Sequence, residues 1–154
     1  MPPGSPQFGQ PPADGVCRDR PGAYAVALVA GKVLVVETPA GRFLPGGGRE
    51  AGESAEAALH RELREETGYR LAALRELGSA GQYVVEQATG RCYNKRQTFF
   101  LVELGARDAS AVEPDHTLRW LAPAEALATL REEAQAWAVR RARDARSVSE
   151  SIVG

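Results

Sequence analysis

PGGGREAGESAEAALHRELREETGY, residues 45–69, is the stretch on which the reading of this chain turns. Its second half carries the marks of a helix with both ends specified. Ser54 stands where an N-cap is wanted, Glu56 falls in the first turn, and Ala57 to Glu66 are mostly good helix formers. Gly68 is placed to end the helix in a left-handed conformation. Ala55, Ala58, Leu59 and Leu63 recur at helical spacing, which predicts a face buried against a sheet. Glu62, Glu65 and Glu66 stand at i, i+3 and i+4, so three carboxylates share adjacent turns, and each close pair costs a few tenths of a kcal/mol. Arg61, four residues before Glu65, offsets part of that repulsion. A helix with this composition is most often a solvated acidic face, yet the same cluster of hard oxygens is what Mg²⁺ or Mn²⁺ requires. The context decides between them. Gly46-Gly47-Gly48 permits close backbone approach beside the helix and can expose carbonyls and amides there.

Outward from this stretch the chain reads as alternating strands and helices. Ala23–Ala30 is a short apolar run, broken at Gly31-Lys32 and followed by Val33–Glu37, which predicts a hairpin. Thr38–Gly41 is a turn, and Arg42–Leu44 a brief strand stopped by Pro45. After the helix, strands are expected over 70–77, 82–87 and 97–103, with a turn at Ala88-Thr89-Gly90, then at Leu118–Leu121. Pro123 opens a helix, and a second helical stretch runs from Glu132 to Arg146. Trp120 and Trp137 are expected in the core. No internal repeat or second domain is visible. Residues 1–20 are expected as a flexible Pro/Gly-rich leader, 21–146 as the folded domain and 147–154 as a tail.

At 154 residues, with 44% hydrophobic and 25% charged residues, the chain suits one globular domain. Its net charge of −1 advertises no bulk attraction to nucleic acid or anionic membrane, while leaving room for a small phosphorylated ligand at a local site. The N-terminal segment lacks the basic start and apolar run of a signal peptide. Cys17 and Cys92 form no metal-type or redox-type pair and are expected free and reduced in a cytoplasmic protein.

Read with their spacing, Gly47, Glu53, Arg61, Glu62, Leu63, Glu65, Glu66 and Gly68 match the signature of the Nudix hydrolases, to which MutT-type enzymes belong. Tyr69 departs from the usual aliphatic residue at a packing position. The Phe-Leu-Pro-Gly-Gly-Gly entry and the later Leu-Arg-Trp-Leu-Ala-Pro segment also resemble the family, so the likeness spans about residues 21–146. The resemblance implies an α/β fold, an α/β/α sandwich around a mixed sheet, with the signature forming loop–helix–loop. It implies Mg²⁺, replaceable by Mn²⁺, held by Glu65 and Glu66, with Glu62 as a third carboxylate and Gly47 offering its backbone carbonyl. Arg61 would orient a glutamate, and Glu53 would fix the loop against the helix. The reaction implied is hydrolysis of a diphosphate within a nucleoside diphosphate joined to another moiety. The general base stays open among Glu62, Glu66 and the later segment with Glu113, Asp115 and His116.

Substrate contacts are sought outside the signature. Tyr83, Tyr93, Lys95 and Arg96 are candidates, with Asn94 and Gln97 beside them, because an aromatic can stack on a base and a cation can hold a phosphate. Arg42 lies near the expected cleft. Marks of ADP-ribose, dinucleoside-polyphosphate and coenzyme A hydrolases are missing, since no proline follows the signature before Pro114 and Tyr83 lies too close to it. A MutT-like nucleoside triphosphate pyrophosphohydrolase is therefore the leading expectation. ADP-ribose, nucleotide sugars and dinucleoside polyphosphates are alternatives, as is a non-catalytic nucleotide sensor. The partner is a small nucleotide, neither a nucleic-acid polymer nor a membrane, and a homodimer is left open.

Overall fold

The apolar run around Ala23 is continuous because both faces of its strand are covered. Ala23, Ala25 and Ala27 point to a cluster with Ala58, Leu59 and Leu63 of the acidic helix, while Tyr24 and Val26 point to Ala134, Ala138, Val139 and Ala142 of the C-terminal helix. The sheet is thus the middle layer between helices, as expected of an α/β/α sandwich. The computed structural model describes residues 4–13, 15–111 and 114–153. In chain order they form β1 (Gln7–Phe8), β2 (Arg18–Val29), β3 (Lys32–Thr38), β4 (Gly41–Phe43), β5 (Gly46–Gly48), α1 (Ala55–Thr67), β6 (Tyr69–Val85), β7 (Cys92–Arg107), a 3₁₀ turn at Ala109–Ala111, β8 (Thr117–Leu121), α2 (Pro123–Thr129) and α3 (Glu133–Val153). The strand order is β1-β6-β7-β2-β3-β4, with β5 added to β2 and β8 to β3. The sheet is mixed: β1 runs parallel to β6 and β2 parallel to β7, and the other pairs are antiparallel.

Helix α1 forms as its sequence predicts. The Ser54 side chain accepts from the Ala57 N–H, and Gly68 takes φ +80° while its N–H returns to Arg64 O. Ala58, Leu59 and Leu63 are fully buried. Trp120 packs beside this helix layer, and Trp137 packs tilted against Phe99, 6.0 Å between ring centroids, on the opposite side.

Several boundaries differ from expectation, each because long-range pairing overrides local composition. The β2–β3 turn uses Ala30 and Gly31, at φ +50° and +75°, so Lys32 belongs to the strand. The two strands expected over 70–77 and 82–87 fuse into the 17-residue β6, because β7 supplies partners along its length and absorbs the Gly78 region as a bulge. Helix α3 continues to Val153 instead of ending at Arg146. The leader is not wholly unstructured: β2 starts at Arg18, and Gln7-Phe8 pairs with Gly81-Gln82, helped by a bond from Gly81 N to Pro6 O of 2.9 Å.

The expectation of free thiols is also corrected. Parallel pairing of β2 with β7 sets Arg18 opposite Tyr93, which brings Cys17 to Cys92 as a disulfide with a Cα–Cα distance of 4.6 Å. Cysteine usage therefore gives no support to a reducing compartment. Among the described residues no helix is long and apolar enough to cross a membrane.

Candidate active site

The glycine loop owes its arrangement to the phase of one short ladder. β5 faces β2 with Gly22 opposite Gly48, Ala23 opposite Gly47 and Tyr24 opposite Gly46. The flanking bonds Ala25 N to Pro45 O (2.8 Å) and Arg49 N to Pro21 O (2.9 Å) put Ala23 and Gly47 on the hydrogen-bonded phase. Gly46 and Gly48, on the other phase, turn their backbone groups away from β2. Gly46 N accordingly donates to Glu66 Oε1 at 3.0 Å, and Gly48 O accepts from Arg61 Nη2 at 3.0 Å. The Gly47 carbonyl, expected from the sequence to face a cation, lies on the ladder side, so close to Gly22 that a Cβ there would meet it at 2.7 Å. The backbone that faces the acidic helix is that of Gly46 and Gly48.

Gly47 contributes through its missing side chain. A Cβ at this position would lie 2.5 Å from Glu62 Cδ, so only glycine lets that carboxylate rest against the strand. Arg61 is the hub that holds the rest. Its Nε and Nη2 grip the two oxygens of Glu53 at 2.7 and 2.8 Å, while Nη1 reaches Glu62 at 2.9 Å and Glu65 at 3.4 Å. Glu53 also accepts from Glu50 N at 2.8 Å, which closes the loop onto the helix. The Arg61 guanidinium, followed by the Glu50 N–H, holds the Glu53 carboxyl at about 2, below its ordinary 4.5. Glu53 and then Glu62 raise the pKa of Arg61, keeping it charged.

Among the described residues no three acidic, histidine or cysteine side chains are drawn together at metal-binding spacing. Like charges on one face separate onto their own donors: Glu62 to Arg61, Glu66 to Gly46 N, and Glu65 outward at 56% exposure. The later acidic loop does reach this place. His116 Nδ1 lies 3.6 Å from Glu66 Oε2, with Asp115 3.9 Å from the other ring nitrogen. Glu113 falls outside the described residues.

The substrate candidates divide between the two faces of the sheet, because side chains alternate along β6 and β7. Lys95 and Tyr93 face the α3 layer; Arg96 and Tyr83 face the α1 side. Arg96 pairs with Asp19 at 3.0 Å, and the Arg20 guanidinium covers the Tyr93 ring at 3.7 Å. Arg42 ties β4 to β3 through Glu37 and to α2 through Glu125 and Thr129. Sequence reading missed Glu132 and Gln135, which enter the interior at the start of α3. Polar residues three apart beside the apolar face of α3 were the available signal. Leu44 N donates to Gln135 Oε1 at 2.7 Å, two residues before the Gly46 N–H that holds Glu66, so this segment links both helices.

The sequence model of the NUDIX domain matches residues 18–142. Among solved structures, the chain is similar to a NUDIX hydrolase from Nitrosomonas europaea, at TM-score 0.64 and 22% identity, covering 83% of this chain and 90% of that one. It is also similar to the ORF135 protein of E. coli, at TM-score 0.58 and 26% identity, covering 86% and 94%. A MutT protein from Bacillus halodurans aligns at TM-score 0.64 and 21% identity, covering 79% and 80%. No curated protein matches. With the family match spanning most of the chain and the Arg61 clasp formed on α1, this chain belongs to the Nudix family and is a hydrolase of pyrophosphate bonds.

Proposed function

We propose that the chain hydrolyses the diphosphate linkage of nucleoside diphosphate derivatives with Mg²⁺, nucleoside triphosphates being the leading substrates. The observation that carries this reading is the Arg61 clasp, which sets Glu62 and Glu65 beside the outward backbone of the glycine loop that holds Glu66. By their chemistry the donors suit a hard divalent cation, since Glu62, Glu65, Glu66 and the outward carbonyl of Gly46 all offer oxygen; a bound cation would draw together carboxylates that here stand apart. The space left by the absent Cβ of Gly47 is where the Glu62 carboxylate sits. When bound there, a divalent cation supplies charge neutralisation of the phosphate oxygens and a water of lowered pKa. The protein's own part is positional. Arg61 aims Glu62 and Glu65, and Glu53 anchors Arg61. Gly46 N holds one oxygen of Glu66 and leaves the other toward His116. Glu62 and Glu66 are our candidates to take the proton of the attacking water, with Asp115 and His116 of the later loop beside Glu66 as the alternatives.

Glu66→Gln tests this reading, because the amide retains an oxygen for the Gly46 N–H. The expected result is at least a 100-fold loss of Mg²⁺-dependent turnover on a panel of nucleoside triphosphates, nucleotide sugars, dinucleoside polyphosphates and ADP-ribose, with an unchanged melting curve. Undiminished turnover overturns the site assignment.

A further inference from the structure

Beneath the loop that links the two helices lies a chain of polar groups that the hydrolytic reading does not use. Leu44 N donates to Gln135 Oε1, Gln135 Nε2 donates to Gln97 Oε1 at 3.0 Å, and Gln97 Nε2 donates to Glu132 Oε1 at 3.0 Å. The remaining Glu132 oxygen receives Lys95 Nζ at 2.6 Å. The backbone donor at Leu44 fixes the sense of every link: each amide must present oxygen on one side and N–H on the other. Gln97 and Gln135 are fully buried, and the Glu132 side chain is 5% exposed.

A buried ion pair is by itself a weak source of stability. Replacing a buried ion pair by apolar side chains of similar volume is often neutral or stabilising. Lys95 is nonetheless kept charged: burial works against its proton, and Tyr24 and Glu132 outweigh that effect. Its ammonium lies between two rings, 5.3 Å from the centroid of Tyr24 and 5.6 Å from that of the half-buried Phe43. Glu132 takes one N–H of an ammonium that carries three, and the Lys95 side chain remains 17% exposed, within reach of a ligand. Lys95 and Glu132 sum to zero charge, so the place does not suit a phosphate. It suits a neutral, flat group with a carbonyl oxygen, resting on Phe43.

We propose that Lys95 is a specificity-determining residue that donates a hydrogen bond to the ring carbonyl of the substrate base, favouring guanine, uracil and thymine over adenine and cytosine, whose corresponding position carries an amine. The inference rests on the proposed nucleotide hydrolysis, since the base must reach Lys95 while its phosphates lie at Glu66. The Tyr24 hydroxyl feels the charges of both Lys95 and Glu66, which puts the two groups within electrostatic reach of one ring.

The test compares kcat/KM for GTP and UTP with that for ATP and CTP, each ratio taken within one protein sample so that a partly folded variant still reads. The expected ratio in the native chain is at least about tenfold, matching a charge-assisted hydrogen bond, and it falls toward one in Lys95→Met. Because that variant strands Glu132, Lys95→Met with Glu132→Gln is measured alongside and should give the same loss. A native ratio within threefold of one, or a ratio unchanged in both variants, overturns the proposal. Calorimetric binding of GMP and AMP separates the two readings. A GMP preference that Lys95→Met abolishes, without turnover of any triphosphate, sinks the hydrolytic reading and leaves this subsite standing. Turnover without base preference does the reverse.

Discussion

Gly47→Ala separates what the signature glycine does for the fold from what it does for the site. The added Cβ would lie 2.5 Å from Glu62 Cδ and 2.6 Å from Oε2, against an ordinary contact of 3.4 Å or more. The carboxylate must therefore retreat by about 0.9 Å, and it can, since it is the end of a flexible side chain with 22% exposure. The retreat weakens the bond to Arg61, which at this exposure is worth about 0.2–1 kcal/mol, while Arg61 keeps both bonds to Glu53. Melting should fall by no more than about 4 °C. A displacement near 1 Å of a reacting-site group costs about 100-fold in rate, or about 2.7 kcal/mol of barrier. Gly46→Ala is the contrasting variant: its Cβ would meet Ala23 O at 2.2 Å and Tyr24 Cα at 2.7 Å at φ +145°, so backbone itself must move. Its melting temperature should fall several-fold further. The assay pairs Mg²⁺-dependent turnover with thermal melting. Gly47→Ala turnover within threefold of native would refute the assigned importance of the Glu62 position. A melt as depressed as that of Gly46→Ala would refute the claim that only a flexible carboxylate stands in the way.

Two further predictions concern stability. The Glu53 carboxyl is held at about 2, against an ordinary 4.5, by Arg61 and then by the Glu50 N–H. A depressed carboxyl stabilises the fold above pH 4.5 and loses that contribution as pH falls toward 2. Glu53→Gln should thus melt below the native chain at pH 6, with the gap closing between pH 4.5 and 2; a gap independent of pH would count against the pairing. The Cys17–Cys92 bridge spans a sequence separation of 75, for which loop entropy gives up to about 4.5 kcal/mol of stabilisation. Dithiothreitol should lower the melting temperature of the native chain and leave Cys17→Ser unaffected. Equal responses would show that the bridge contributes nothing.

Much of α1 is legible in the sequence because its determinants are local. Ser54 caps, Gly68 terminates, and Ala58, Leu59 and Leu63 turn inward at the positions their spacing predicts. Arg61 reaches Glu53, Glu62 and Glu65 because these lie on the same turns or on the loop that the helix draws back. The region of Gly78–Gly81 carries little strand propensity, and its place in β6 comes from β7 across the sheet.

The pattern of residues 45–69 determined by itself that the chain carries an acidic helix behind a glycine loop, and so that it belongs with enzymes of diphosphate chemistry. Interactions within one or two turns depend on neighbours a few residues away, and those are written in order along the chain. Which carbonyl faces that helix, Gly46 or Gly47, depends on the phase of a ladder with β2. That Cys17 meets Cys92, and that Lys95 meets Glu132 behind Gln97 and Gln135, depends on strand registers set over dozens of residues. Sheet register shifts every side chain to the other face when it slips by one, and only the packed layers determine it.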